Sequence, residues 1–372
     1  MSGTGALHGL RIADFTRVLS GPYATMLLGD LGAEVIKVER PGSGDETRSW
    51  GPPWYEGQAT YYLGANRNKS ADGIDLGTEA GRARARALIE QSDVVVQNFR
   101  PGTMERFGLG YEQLAGALPG LVYCSISGFG SAGGADLPGY DLIVQAAGGL
   151  MSITGPDDAT PIKTGVALVD VICGLHAVTG ILAALRHRDE TGSGQHIEVN
   201  LFSSLLSALA NQASAHVATG HVPRALGNRH PSIAPYETMK TADRPLAIAA
   251  ANDKLFATLA HCLGRPDLVG DERFATNPLR VTNRHQLVEE LEATLTRAPA
   301  DHWFGLLRAA GVPCSPINDL EQAFELASAL DLDAVVPITC PDTGTTFPQV
   351  ACPIRLSKTA ATYRLVPPPL PT

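Results

Sequence analysis

Apolar and polar positions along the chain switch repeatedly between two periods. Leu10–Phe15 alternates and closes on an apolar pair, which predicts a strand. From Gly21 to Gly32 the apolar residues Ala24, Leu27, Leu28 and Leu31 recur at helical spacing. Glu34–Glu39 predicts a second strand, Asp93–Phe99 a third, Leu121–Ile126 a fourth and His196–Asn200 another. Thr78–Ser92 reads as an Ala/Arg/Leu helix with Glu79 in its first turn. Long apolar helices are expected from Val171 to about Arg186 and from Leu201 onward. Strands alternating with helices imply βαβ units and a parallel sheet, so the fold class is α/β.

The long segment Pro41–Asn68 interrupts this pattern and reads as a loop, and loops of that length in compact domains are usually functional. After Val222 the character changes. Pro223–Pro235 is loop-like, two short strands follow at Glu237–Thr241 and Leu246–Ala250, and amphipathic helices continue to about Ser328. The expected organisation is a large domain over residues 1–222, completed by 329–372, and a smaller α+β domain over 223–328.

Composition narrows the function class. Charged residues are 18% of the chain and hydrophobic ones 44%, enough for a sizeable core. The net charge is −9 and no basic block interrupts it, which argues against nucleic-acid binding. Met1–Arg17 lacks a basic segment followed by an apolar one, so no secretory signal is expected. The uncharged runs Val171–Leu185 and Leu201–Val222 read as buried helices, not membrane spans. Six scattered cysteines without a C-x-x-C pair predict reduced thiols in a cytoplasmic protein, and the ten histidines show no metal-ligand spacing.

Few residues carry chemistry. Gly128-Phe-Gly130-Ser-Ala-Gly133 matches G-x-G-x-x-G, but Gly134, Pro138 and Gly139 follow, so it opens a loop where a dinucleotide site needs a helix. His176, in an apolar helix, reads as a satisfied core residue. Asp170 stands apart: no other charge lies between Lys163 and Arg186. It reads as the N-cap of the helix that follows, as a poorly solvated nucleophile, or as both. The cations Arg40, Arg48, Arg67, Lys69, Arg100 and Arg106 fall at strand ends or in loops, where they are ligand contacts or ordinary surface charge. Arg82, Arg84 and Arg86 lie on one helix and read as its solvated face.

These motifs resemble the class III CoA-transferase family. The likeness is carried by Asp14–Met26, Leu31–Asp45, Asn98–Gly102, Ser127–Gly130, Pro138–Asp141, Gly165-Val-Ala-Leu-Val-Asp170 and Thr191–Gln195, in order along nearly the whole chain. Thr47–Pro53, Tyr61–Tyr62, Asn66–Lys69, Met151–Gly155 and Ser232–Tyr236 are most similar to its succinyl-CoA:dicarboxylate members of the glutarate (hydroxymethylglutarate) type. The resemblance implies a Rossmann-like large domain, an interlocked homodimer, and CoA transfer through aspartyl anhydride and aspartyl-CoA thioester intermediates. It implies coenzyme A thioesters as substrates, no permanently bound cofactor and no metal. Asp170 matches the catalytic aspartate. Leu19, Ser20, Arg40, Ile74, Asn98, Phe99, Arg100, Arg106 and Tyr140 match positions of the CoA site, and Gly139 the glycine backbone near the reacting centre. Arg48, His230 and Ser232 are candidates for holding a second acceptor carboxylate. Tyr140 stands where the family's racemases carry a histidine, which leaves a racemase-like isomerase and a non-catalytic acyl-CoA-binding protein as the rival readings.

Overall fold

The computed structural model describes residues 5–371; the first four residues of the segment read for a secretory signal, and Thr372, lie outside it. Among the described residues the chain falls into two compact units. The first comprises residues up to Met151, Lys163–Val222, and the chain from Leu332. The second comprises Ser152–Ile162 and Pro223–Asp331. The excursion Ser152–Ile162 is a difference from the sequence reading, which kept it with the large domain.

Six strands form the main sheet of the first unit: β1 (Arg11–Phe15), β2 (Glu34–Glu39), β3 (Lys69–Gly73), β4 (Val94–Gln97), β5 (Val122–Ser127) and β6 (His196–Asn200). Every pairing is parallel, in the spatial order β3-β2-β1-β4-β5-β6, the doubly wound order. Side chains alternate across it, as the period of two requires. Ile12, Val94, Val96, Val122 and Cys124 face one core with helices α1 (Ser20–Asp30) and α4 (Leu168–Thr191). Ala13, Phe15, Val95 and Tyr123 face the other, where α2 (Glu79–Glu90) packs Ala85 and Ile89. The Thr78 side chain caps α2 by accepting the Gly81 N–H.

Helix α3 (Asp141–Ala147) precedes α4, and α5 (Leu201–Ala208) follows β6. The single long helix expected from Leu201 is broken at Leu209: a second helix, Ala210–Thr219, starts with Ala210 at φ 42°. Within the loop after β2 the chain forms a short 3₁₀ turn, a two-residue hairpin and a helical turn, Thr60–Leu63. By length and composition α4 could cross a membrane, and half of its most apolar stretch is buried inside the unit.

The second unit packs an antiparallel sheet of Tyr236–Met239, Leu246–Ala249 and Cys314–Pro316 against helices contributing Phe256, Leu287, Leu291 and Trp303. Arg280 is fully buried there; it donates to the carbonyls of Ala234 and Phe274 and pairs with Asp253.

Candidate active site

In a doubly wound sheet the ligand crevice opens beyond the strand C-termini where the order reverses, here between β1 and β4. The chain leaves β1 through Thr16-Arg17-Val18-Leu19 and enters α1 at Ser20. Val18 holds φ 68°, a conformation that a β-branched residue adopts only when its surroundings impose it. Those surroundings are a buried ion network. Asp14 accepts from the Thr16 backbone N–H, and Lys69 Nζ donates to Asp14 at 3.0 Å. Lys37 Nζ donates to the Thr16 carbonyl and to Asp45, both at 2.9 Å, while Asp45 accepts the Val18 N–H. Burial favours a neutral Asp14, but Lys69, Lys37 and the Thr16 and Thr25 hydroxyls outweigh it and hold the group at about 2. Burial brings Lys69 down to about 8 against the pull of Asp14.

Asp170 sits at the third position of α4, buried to 8% exposure. It is therefore not the N-cap: Ala167 is, and Ala167 has no capping side chain. Asp141, at the start of α3, supplies the cap across space. Its Oδ1 accepts the N–H of Val169 at 2.8 Å and of Asp170 at 3.3 Å. Its Oδ2 accepts from Gln145, whose Oε1 accepts the Thr164 N–H, so the loop before α4 is tied to α3. Helix α4 lies close against the start of α1 because Gly174 carries no side chain; a Cβ there would sit 2.7 Å from the Ser20 carbonyl oxygen. Burial first, then the Asp141 charge, raises the Asp170 carboxyl to about 7, while the Ser20 hydroxyl opposes the rise.

Two cavities run past this carboxylate, and a third adjoins the first of them. One of about 340 Å³ is lined by Ser20, Asn98, Phe99, Arg100, Gly139 and Asp170. A second, of about 590 Å³, contains Leu19, Trp50, Tyr61, Lys163 and again Asp170. Val18, Tyr140 and Asp170 belong to both, so the two meet at the carboxylate. A third, of about 460 Å³, holds Arg40 and Ile74 and shares Arg17 and Phe99 with the first. Asn98 fixes the junction by exchanging hydrogen bonds with the Arg17 backbone, at 2.9 and 2.7 Å. The Arg17 guanidinium lies 5.1 Å from the centre of the Phe99 ring. Gly139 and Gly128 bring two loops together backbone to backbone; a Cβ on Gly139 would lie 2.3 Å from the Gly128 Cα.

The structure thus gathers Leu19, Ser20, Arg40, Ile74, Asn98, Phe99, Arg100, Gly139, Tyr140 and Asp170 along one track. Arg106 stays outside it, exposed on a helical turn with its guanidinium on the Thr103 hydroxyl. Arg48 is also outside. It pairs with Glu39 at 2.6 Å and donates to the Tyr62 hydroxyl and the Pro368 and Pro369 carbonyls, anchoring the proline-rich tail. Arg67 is buried against Asp30 and Lys69 against Asp14, so both are structural cations. His230 and Ser232 lie in the second unit, where the Ser232 N–H donates to His230 Nδ1 and Arg284 donates to the His230 carbonyl. Asp141, Arg17 and Lys163 are the site residues that the sequence reading did not single out. A signal for Lys163 was present, since it is the only Lys or Arg between Arg106 and Arg186.

Arg17, Arg40 and Arg100 form no ion pair among the described residues, a set of free cations suited to phosphates along the first and third cavities. Among the described residues no cluster of His, Cys, Asp and Glu could hold a metal ion. The arrangement offers a weakly solvated carboxylate at the point where a long, phosphate-compatible groove meets a second chamber.

The chain is similar to known proteins over nearly its whole length. The model of CoA-transferase family III matches residues 7–371. The chain is 43% identical over 339 residues to succinyl-CoA:glutarate CoA-transferase of Mus musculus, covering 91% of this chain and 78% of that protein. It is 40% identical to succinate–glutarate CoA-transferase of Agrobacterium fabrum, covering 98% and 92%. A crystal structure of a CaiB/BaiF family protein from Brucella suis superposes with a TM-score of 0.86 at 40% identity, covering 99% of this chain and 97% of that one. With the family model spanning all but the chain's extremities, the protein belongs to CoA-transferase family III, enzymes that take coenzyme A thioesters as substrates.

Proposed function

We propose that this enzyme moves CoA from succinyl-CoA to a short dicarboxylate such as glutarate, with Asp170 as the nucleophile. The observation that carries the reading is the position of Asp170 at the meeting point of two cavities, one continued by free arginines. Asp170 attacks the donor thioester carbonyl, the C–S bond breaks, and CoA thiolate leaves an aspartyl–succinyl anhydride. The thiolate attacks the Asp170 carbonyl carbon, releasing succinate and leaving an aspartyl-CoA thioester. An acceptor carboxylate oxygen then displaces the thiolate, forming a second anhydride. The thiolate finally attacks the acceptor's acyl carbon and frees Asp170. No proton and no electron changes hands, so these steps require no redox partner. Leu19, Ser20, Arg40, Ile74, Asn98, Phe99, Arg100 and Tyr140 serve the CoA moiety, with Arg17 added from the geometry.

The names of the relatives support the donor and acceptor: those given above are CoA-transferases of succinyl-CoA or succinate and glutarate. Tyr140, beside Asp170 in both cavities, puts a phenol where a racemase needs an imidazole, which favours transfer over isomerisation. Incubation with succinyl-CoA and glutarate tests the reading. Glutaryl-CoA and succinate are expected in equal amounts with no deuterium exchange at the α-carbon. Exchange without transfer indicates the isomerase, and neither process indicates a binding protein.

The working form is a homodimer in this reading, interlocked as the family resemblance implies. Its support here is the run of exposed apolar residues Leu175, Leu182, Leu206 and Val217 on α4 and the helices that follow β6. An active species of about 39.1 kDa in light scattering, the mass of one chain, contradicts it. Six free cysteines support a reducing, cytoplasmic location. The two compact units are taken as a large CoA-binding domain and a smaller α+β domain.

A further inference from the structure

The 590 Å³ cavity has a second feature besides its share of Asp170. Its wall is largely apolar, with Trp50 and Tyr61 meeting edge to face at 5.1 Å and with Val166 and Leu142 nearby. Three charged residues line it: Asp141, Asp170 and Lys163. Two of these are carboxylates, and Asp141 is already occupied as the cap of α4. Lys163 is therefore the one cation this chamber offers to a second carboxylate among the described residues. The ammonium donates to the Thr164 carbonyl at 3.1 Å and forms no ion pair among the described residues. An ammonium has three donors, so two remain for a ligand. Arg48 and Arg67 cannot serve, since Glu39 and Asp30 hold them elsewhere.

We propose that Lys163 binds the distal carboxylate of the acceptor, so that a diacid spans the apolar chamber with its other carboxylate at Asp170. This rests on the reading of Asp170 as the transfer residue and adds the group that separates diacids from monoacids. Lys163 and Val166 are exposed at this chamber, so the distal carboxylate keeps part of its water, and Lys163 gives it a charged partner that a monoacid of the same length cannot use.

The experiment uses the whole enzyme with succinyl-CoA as donor and compares kcat/KM for glutarate with that for pentanoate, the five-carbon monoacid. Using the ratio within each variant cancels any general loss of active protein. In Lys163→Met the glutarate-to-pentanoate ratio is expected to fall by about three- to fivefold, the scale of an ion pair open to solvent. Lys163→Arg should restore most of it. Lys163→Glu should raise the use of 5-aminopentanoate relative to pentanoate, because the charge complementarity is then reversed. A ratio that Lys163→Met leaves unchanged overturns the Lys163 assignment while the transferase reading stands. Wild-type enzyme that transfers CoA to neither acid overturns both.

Discussion

Asp141 accepts the backbone N–H of Asp170 at 3.3 Å while its negative charge bears on the Asp170 side chain. One residue thus does two opposed things to its neighbour. As a cap it fixes the first turn of α4 and with it the direction of the Asp170 carboxylate. As a charge it adds to the effect of burial and makes that carboxylate harder to ionise. In the transfer proposed above, attack by Asp170 needs the ionised form, so the pair is expected to set the pH at which the enzyme works.

The first prediction follows from that pairing. In wild-type enzyme kcat/KM should rise with pH through about 7, the position of the Asp170 carboxyl. Asp141→Asn keeps an oxygen that accepts the helix N–H groups but removes the charge. Its pH profile should move to lower pH with the fold intact. Asp141→Ala also removes the cap, and its unfolding free energy should fall by about 1 kcal/mol. A profile that Asp141→Asn leaves in place contradicts the electrostatic coupling.

A second prediction concerns stability. The Asp170 carboxyl is raised in the folded protein, to about 7 from an ordinary 3.8, so the native state binds its proton more tightly than the unfolded state does. That contribution is intact below pH 3.8 and is lost as pH rises to about 7. Asp170→Asn cannot ionise and escapes the loss. Between pH 5 and pH 8 its stability advantage over wild type should grow by roughly 2–3 kcal/mol, read from denaturant midpoints at each pH. A constant difference would show that Asp170 titrates normally.

The third prediction tests the network beneath the Val18 turn. Lys69→Met leaves Asp14 buried without its nearest counter-charge. Breaking one side of a buried pair costs about 3–5 kcal/mol, so chemical denaturation should show a large loss. Replacing Asp14 as well removes the stranded charge, and the double variant should lose less than the two single losses added together. Additive losses would mean the two side chains do not depend on each other.

Much of the fold was legible because apolar runs mark buried strands. Val94–Val96 and Val122–Ile126 could hardly be anything else in an α/β chain. Strand β3 was not legible: Lys-Ser-Ala-Asp-Gly carries no apolar alternation, and it is a strand because β2 offers it an edge and Asp14 receives Lys69. The same gap explains the misplaced cations. Arg48, Arg67 and Lys69 look like ligand contacts along the chain, but their partners Glu39, Asp30 and Asp14 come from other segments, and only the folded sheet brings them together. Asp170 was visible as a lone charge in an apolar run. Its cap was not, because Asp141 stands on a different helix and reaches the start of α4 only through space. Val18 shows the limit from another side, since a valine gives no hint in sequence that it will be held at positive φ.

The central claim, that Asp170 carries the acyl group and then CoA, has a direct isotopic test. In the scheme proposed, the acceptor carboxylate oxygen that attacks the aspartyl-CoA thioester becomes the bridge of the second anhydride. When CoA thiolate attacks the acceptor's acyl carbon, that oxygen stays on Asp170. Turnover with succinyl-CoA and glutarate labelled with ¹⁸O in its carboxylates, followed by peptide mass spectrometry, should therefore place the heavy oxygen in the Asp170 side chain and in no other carboxylate. Glutaryl-CoA formed while Asp170 stays unlabelled would contradict the account.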